Sequence, residues 1–178
     1  MADGNLPEHL GGHYNRCHLD SGVLEYLRKE LKIESMIDVG CGTGGMVDLA
    51  LDLGIDAIGI DGDDTIERTV PIIIHDYREM PPEMGADLIW SVEFVEHMDS
   101  QYIYNFMQTF KQGKYVCMTH APPNSKGHHH VNCQPEGYWV DKMEEFGLCF
   151  LPKLTKEIRK RSTMERDFMR RHGLMFSV

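Results

Sequence analysis

The sequence predicts an α/β fold, a mostly parallel seven-stranded sheet with helices on both faces and an antiparallel last strand. Three observations carry this. Short apolar runs alternate with segments of helical period from Asp20 onward, the pattern of successive strand–helix–strand units with right-handed crossovers. A glycine-rich turn in "MIDVGCGTGGMVDLA" (36–50) joins a strand-like run to a helix-like one. The C-terminal stretch then breaks the alternation, with two strand-like segments flanking a charged helical insert, as a closing antiparallel hairpin does.

Taken in order, "DSGVLEYLRKELKIE" (20–34) places Val23, Leu24, Leu27 and Leu31 at helical spacing, with Asp20 or Ser21 as N-cap. "MIDVG" (36–40) reads as a buried strand and "GGMVDLALDLG" (44–54) as a helix closed by Gly54. "IDAIGID" (55–61), "PIIIHD" (71–76) and "ADLIWSVEF" (86–94) are the next three strands. About nine residues join the second strand to the third, too few for a full crossover helix, so a stunted helical turn is expected there. "SQYIYNFMQTFKQG" (100–113) is a helix with Ile103, Phe106, Met107 and Phe110 on one face. "KYVCMTHAP" (114–122) is a fifth strand and "YWVDKMEEFG" (138–147) a helix ending at Gly147. In the tail, "LCFLPKL" (148–154) reads as a strand, 155–173 as a helical insert and "LMFSV" (174–178) as the last strand.

The 178 residues fit a single domain, 1–178, long enough to bury a core. No run reaches the roughly 18 apolar residues of a membrane span, and the first twenty residues lack the basic and apolar regions of a secretory signal. The five cysteines (Cys17, Cys41, Cys117, Cys133, Cys149) include no C-x-x-C pair. Free thiols in a reducing cytoplasm are expected, and a zinc ribbon is not. The net charge is −10, yet residues 151–178 carry 8 Lys+Arg against 3 Asp+Glu. Such a segment is either a solvated basic helix or a grip on a phosphate-bearing substrate. The acidic remainder repels long nucleic acid.

The glycines alone do not name the ligand. Gly40, Gly42 and Gly45 satisfy the dinucleotide pattern G-x-G-x-x-G, while Gly40, Gly42 and Gly44 satisfy the G-x-G-x-G of enzymes that use S-adenosyl-L-methionine (SAM). Three acids at successive strand ends bear on the choice. Asp38 borders the crevice beyond the first strand, where it would oppose a pyrophosphate but suits an ammonium and a sulfonium. Asp61 ends the second strand, where an acid accepts hydrogen bonds from ribose hydroxyls. Asp76 ends the third, where it would meet an adenine amino group. Together they favour SAM, with S-adenosyl-L-homocysteine as the product. An NAD-dependent reductase and a non-catalytic SAM-binding module acting through the basic C-terminal helix stay open as alternatives.

These residues resemble the class I SAM-dependent methyltransferases, whose fold is Rossmann-like with a reversed last strand. "IDVGCGTG" is similar to their first motif and "GIDGDD" to their second-strand acid. "HDYREMP" is similar to their adenine-contacting segment and "DLIWSVEFVEHM" to their fourth-strand motif with its Glu-His. "GHHHVNCQPEGYWVDKMEEFGL" looks like a segment of short methyltransferases, some of them phage-encoded, in which case the location would be the host cytoplasm. The resemblance implies that Gly40, Cys41, Gly42 and Gly44 receive the methionine end of SAM, with Asp38 beneath. It places the ribose against Asp61, Gly62 and Asp63, and the adenine between Asp76 and Tyr77. Ser91, Val92 and Glu93 would close the pocket floor.

Aligning a nucleophile with the S–CH3 bond supplies much of the rate of methyl transfer, and a general base assists a hydroxyl nucleophile. His97, just after the fourth strand, His120, in the fifth, and His129 are the candidates for that role. The long polar loop "APPNSKGHHHVNCQPEGYW" (121–139) leaves the sheet on the ligand side. There His128, His130, Asn132, Gln134, Tyr138 and Trp139 would form a polar, aromatic-walled cup for substrate. Two of His128, His129 and His130, with His120 or Cys133, are an alternative metal set. Consecutive histidines diverge unless the loop bends sharply, so no metal ligand is assigned. Residues 1–19 are expected as a lid, with "GGHYNRCHLD" (11–20) folding His13 and His18 onto the substrate. Neither the N-P-P-[YF] of amino-group methyltransferases nor the Pro-Cys of cytosine-C5 enzymes is present. A hydroxyl on a small molecule or sugar is therefore the expected acceptor.

Overall fold

The computed structural model describes residues 6–10 and 16–178. Seven strands form one sheet: β1 (Ser35–Val39), β2 (Asp56–Asp61), β3 (Ile72–Ile74), β4 (Ala86–Ser91), β5 (Gly113–Met118), β6 (Cys149–Phe150) and β7 (Leu174–Ser177). Their order is β3-β2-β1-β4-β5-β7-β6. The first five are parallel, and β7 runs antiparallel to both β5 and β6. The strand order reverses between β1 and β4, which opens a crevice at their carboxyl ends.

Six helices cover the sheet: α1 (Ser21–Leu31), α2 (Gly45–Asp52), α3 (Ile103–Phe110), α4 (Glu136–Glu145), α5 (Pro152–Arg161) and α6 (Phe168–His172). Successive strand residues face opposite sides, so each strand feeds two cores. Ile37, Ile89, Val116 and Phe176 pack with Phe106, Phe110 and Trp139 of α3 and α4. Met36, Leu88, Trp90, Cys117 and Met175 pack with Leu24 and Leu27 of α1, Val47 of α2, Ile158 of α5 and Met169 of α6. No helix among the described residues is long and apolar enough to cross a membrane.

The structure corrects three expectations. The β2–β3 connection (62–71) holds no helix. It is a run of turns in which Asp63 Oδ1 accepts the Thr65 amide, so the side chain satisfies a backbone donor that a helix would have used. The expected strand 148–154 shrinks to β6, because Pro152 occupies the first turn of α5, where its fixed φ starts a helix. The helical insert is two helices rather than one. Asp20 accepts the Thr163 amide and the Ser162 hydroxyl, and those bonds stop α5 and set the link to α6.

Candidate functional site

The β1–α2 turn is held by backbone geometry before any side chain acts. Gly40, Gly42 and Gly44 have φ of 75°, 52° and 82°, the left-handed region that side chains disfavour. A Cβ on Gly40 would lie 2.7 Å from the Phe94 ring. The Gly40 and Cys41 amides donate to the Ile60 carbonyl at 2.9 and 3.2 Å, which ties the turn to the end of β2. Asp61 Oδ2 accepts the Gly42 amide at 2.7 Å and Oδ1 the Asp63 amide at 2.9 Å. Arg68 clamps the same corner, donating to Asp61 Oδ1 at 3.1 Å and to the Gly42 carbonyl at 2.7 Å.

Beyond these strand ends lies a cavity of about 1070 Å³. Its wall includes Asp38, Gly40, Cys41, Gly42, Asp61, Gly62, Asp76 and Tyr77, in the sequence order the resemblance implies. Burial, reinforced by the nearby Asp61 carboxylate, pushes the Asp38 carboxyl up to about 8. A group in that state gains from a cationic neighbour. An ammonium and a sulfonium therefore fit this corner, and a pyrophosphate does not. Burial raises Asp76 too, but hydrogen bonds from Arg78 and His9 outweigh it and hold its carboxyl at about 2. Tyr77 is buried; its hydroxyl donates to Thr109 at 3.1 Å and burial raises its pKa.

The second half of the wall comes from β4, β5 and the tail. Val92 and Glu93 follow β4, and Glu93 has φ 54°, a costly conformation for a residue with a side chain. Burial raises the pKa of Glu93, and burial plus the Glu93 carboxylate raises that of Glu96, so this pair resists full ionisation. His97 and His120 both reach the wall. Burial, and in second place the positive charge of a neighbouring histidine (His130 and His172 respectively), lowers each to about 4. His97 Nδ1 donates to the His128 carbonyl at 2.8 Å, whereas neither ring nitrogen of His120 makes a well-formed hydrogen bond, the nearest backbone groups being those of Ala121 and Gln134.

His18, His128 and His130 line the cavity. The His18 ring stands edge-on to Phe168 at 4.9 Å. Among residues 6–10, Leu10 lies over Gly62, where a Cβ would meet it at 2.3 Å, and His9 Nε2 lies 3.1 Å from Asp76 Oδ2. The N-terminal segment thus lies across the end of the crevice marked by Gly62 and Asp76. His13 falls outside the described residues.

Several expected residues lie elsewhere. Trp139 and Tyr138 do not wall a cup: α4 starts at Glu136, earlier than expected, and turns Trp139 into the core against Phe106. Asn132 is buried and Gln134 donates to its side chain, so the two brace the loop from behind. His129 has φ 45° and its ring lies off the wall, 6.4 Å from His9. Gly44 is covered by Val70, Asp63 shapes its own turn, and the buried Ser91 hydroxyl donates to the Val39 carbonyl at 3.3 Å.

Sequence reasoning missed Arg68, His9 and Glu96, and it undervalued the tail. Arg166, Phe168, Arg171 and His172 close one side of the cavity, with Arg16 and Lys126 at the same wall. The only early signal was the basic composition of residues 151–178.

A family model described as a methyltransferase domain matches residues 12–155. No curated protein matches the chain. Among solved structures, the methyltransferase domain of bacterial CtHen1 is 16% identical with a TM-score of 0.60, covering 88% of this chain and 96% of that one. Magnesium protoporphyrin IX methyltransferase from Synechocystis PCC 6803, solved with bound SAM, is 11% identical with a TM-score of 0.59, covering 86% and 74%. The sugar N-methyltransferase KedS8 from Streptoalloteichus sp ATCC 53650 is 9% identical with a TM-score of 0.63, covering 88% and 87%. At these identities the neighbours establish the class I fold, and the family match and the glycine-and-acid crevice agree with it. The chain belongs to the methyltransferase-domain family and is a SAM-dependent methyltransferase.

Proposed function

We propose that this enzyme methylates a hydroxyl of a small molecule or sugar. The observation that carries the reading is His120: a neutral imidazole on the cavity wall, neither nitrogen of which makes a well-formed hydrogen bond within the protein. A buried polar group without a partner is costly, and an acceptor O–H would satisfy it.

In this reading Asp38, Gly40, Cys41 and Gly42 hold the amino-acid end of SAM, Asp61 and Gly62 the ribose, and Asp76 and Tyr77 the adenine. When bound, SAM supplies a methyl group on a sulfonium, which is already a good leaving group. Asp38, ionised beside that positive charge, fixes the orientation of the methionine end. Phe94, packed against Gly40 and Tyr77, keeps the wall at the β1–β4 crevice dry. His120 accepts the hydroxyl proton as the O–CH3 bond forms; a weak base suffices at that point, because the hydroxyl turns strongly acidic as its oxygen gives up electron density. Its tilted neighbour His172, 5.3 Å away, sets the ring against the tail.

The cavity size supports a small acceptor. Pockets of about 300–1,000 Å³ enclose a drug-sized ligand, so 1070 Å³ accommodates the cofactor and little more than a small partner. Arg16, Lys126, Arg166 and Arg171 at the wall, in a chain of net charge −10, favour an acceptor that carries a phosphate or carboxylate.

The test is release of S-adenosyl-L-homocysteine across a panel of sugars, sugar phosphates, polyols and matched amino sugars, with products analysed by mass spectrometry. The proposal expects an O-methylated product. Turnover of the amino sugars alone, with the methyl on nitrogen, would overturn it.

A further inference from the structure

We propose that Glu96, His97 and His130 form a binding site for one divalent transition-metal ion at the end of β4, open to the cavity. One ligand atom from each residue lies within 4.8 Å of the other two. Adjacent ligands on an ion with bonds of about 2.0–2.2 Å stand about 3–3.5 Å apart, so a small rotation of the loop-borne imidazole closes the set.

Four independent features point to a ligand here. Glu96 is completely buried against the Glu93 carboxyl, and neither of its oxygens makes a well-formed hydrogen bond to any other group of the protein. Buried carboxylates are ordinarily paired or bound to metal. His97 donates from Nδ1 to the His128 carbonyl at 2.8 Å, which leaves Nε2 as the lone-pair nitrogen. A carbonyl that orients the far side of a ligating imidazole in this way is the usual support of a metal-bound histidine. The His130 ring meets the His97 ring at 4.8 Å and 80°, and its Nδ1 lies 3.5 Å from Cys133 Sγ, which steadies it from outside. The two halves are stitched together by backbone: the Val131 and Asn132 amides both donate to the Glu96 carbonyl at 3.0 Å. That double bond from the loop brings His130 to a carboxylate far away in sequence.

A set of two imidazoles and one carboxylate suits manganese, iron, cobalt or zinc better than magnesium or calcium, which prefer all-oxygen sites. Glu93, on the cavity wall and close enough to Glu96 to raise its pKa, is the nearest further carboxylate. His128 is not part of the set, since its Nε2 lies 2.6 Å from the Glu8 carbonyl and holds the N-terminal segment down. His97 and His130 line the cavity, so an oxygen of the acceptor could complete the ligand set of an ion held there. This last point rests on the hydroxyl reading above; the metal site itself does not. An O–H bound to such an ion is far more acidic than a free one, so the ion would lower the demand on His120 as the base.

The experiment is titration of chelator-stripped full-length protein with Co2+, read by its visible d–d absorption, with Zn2+ and Mg2+ as competitors. Expected is one equivalent of Co2+, displaced by Zn2+ and not by equimolar Mg2+. Both His130→Ala and Glu96→Gln should weaken Co2+ binding by at least about tenfold, with the retained SAM affinity of each variant showing that it is folded. His130 is on a loop, so its variant keeps the test decisive if Glu96→Gln fails to fold. Absence of Co2+ absorption in the wild-type protein, or equal affinity in wild type and folded His130→Ala, would overturn the site. Tight Co2+ binding together with N-methylated products would leave the site standing and overturn the hydroxyl reading alone.

Discussion

Arg68 holds Asp61 at 3.1 Å and, through Nε, the Gly42 carbonyl at 2.7 Å. One guanidinium thereby joins the end of β2 to the glycine turn after β1. Both side chains are largely buried, at 5% and 11% exposure, so the pair behaves as a buried ion pair. Removing one member leaves the other charge uncompensated, at about 3–5 kcal/mol. Arg68→Met should therefore lower Tm by roughly 6–20 °C, using about 2–4 °C per kcal/mol for a chain of this size. Adding Asp61→Asn should recover part of that loss, because no buried charge then remains. Thermal melting of both variants is the check; additive losses would mean that the two side chains do not interact.

Asp38 gives the site a pH dependence with a definite sign. Its folded pKa of about 8 stands above the ordinary carboxylate value of about 3.9. The folded protein therefore binds the extra proton between those limits, and this group withdraws stability as pH rises from about 4 to about 8. The groups that face it are Asp61 of β2 and the Cys41 and Cys17 thiols, with no cation of the protein among the causes of its shift. A bound sulfonium and ammonium reverse the preference, so SAM binding at pH 7 should release close to one proton. Calorimetry in two buffers of different ionisation enthalpy measures that number. Asp38→Asn should abolish the proton release and raise Tm at pH 8 relative to wild type. A wild-type binding enthalpy independent of buffer would refute the linkage.

His120 should act on turnover and not on cofactor affinity. It follows the end of β5 on the cavity wall, on a different element from the β1–α2 turn and from Asp76 after β3. His120→Ala is expected to lower kcat by about 10²–10⁴, the usual contribution of a positioned base. The SAM Kd should stay within about twofold. A variant with full kcat would remove His120 from the chemistry, whichever acceptor is used.

The sequence made the glycine turn, its three flanking acids and the succession of parallel strands legible, because each depends on local pattern. Periodicity fixes the strands, and a strand's end fixes where Asp38, Asp61 and Asp76 emerge. Features built from contacts distant in sequence were not legible. Arg68 lies in a connection without period, and its role depends on where Gly42 and Asp61 meet in space. Glu96 looked like part of a strand motif until Val131 and Asn132 brought His130 beside it. Trp139 was misjudged because an aromatic at a loop's end reads equally as a pocket wall or as the first buried turn of a helix. The start of α4 at Glu136 decides for the core.

Asp20 links the N-terminal helix to the tail that closes the cavity. It is fully buried and caps α1 by accepting the Val23 amide at 3.2 Å. The same carboxylate accepts the Thr163 amide at 2.9 Å and the Ser162 hydroxyl. Asp20→Ala removes the cap, about 0.5–2 kcal/mol, and strands donors on the far side, about 1–3 kcal/mol. A total near 3 kcal/mol corresponds to a Tm roughly 6–12 °C lower. Asp20→Asn should lose less, since its carbonyl oxygen still caps α1 while its amide cannot accept from Ser162. The segment released, Ser162 to Asp167, carries Glu165, Arg166 and Asp167 on the cavity wall. Below the melting transition, then, Asp20→Asn should raise the acceptor KM while leaving SAM affinity at the β1–β2 end intact. A rise in the SAM Kd of the same size would mean that the tail supports the cofactor corner as well, and that α6 is not a separate wall for the acceptor.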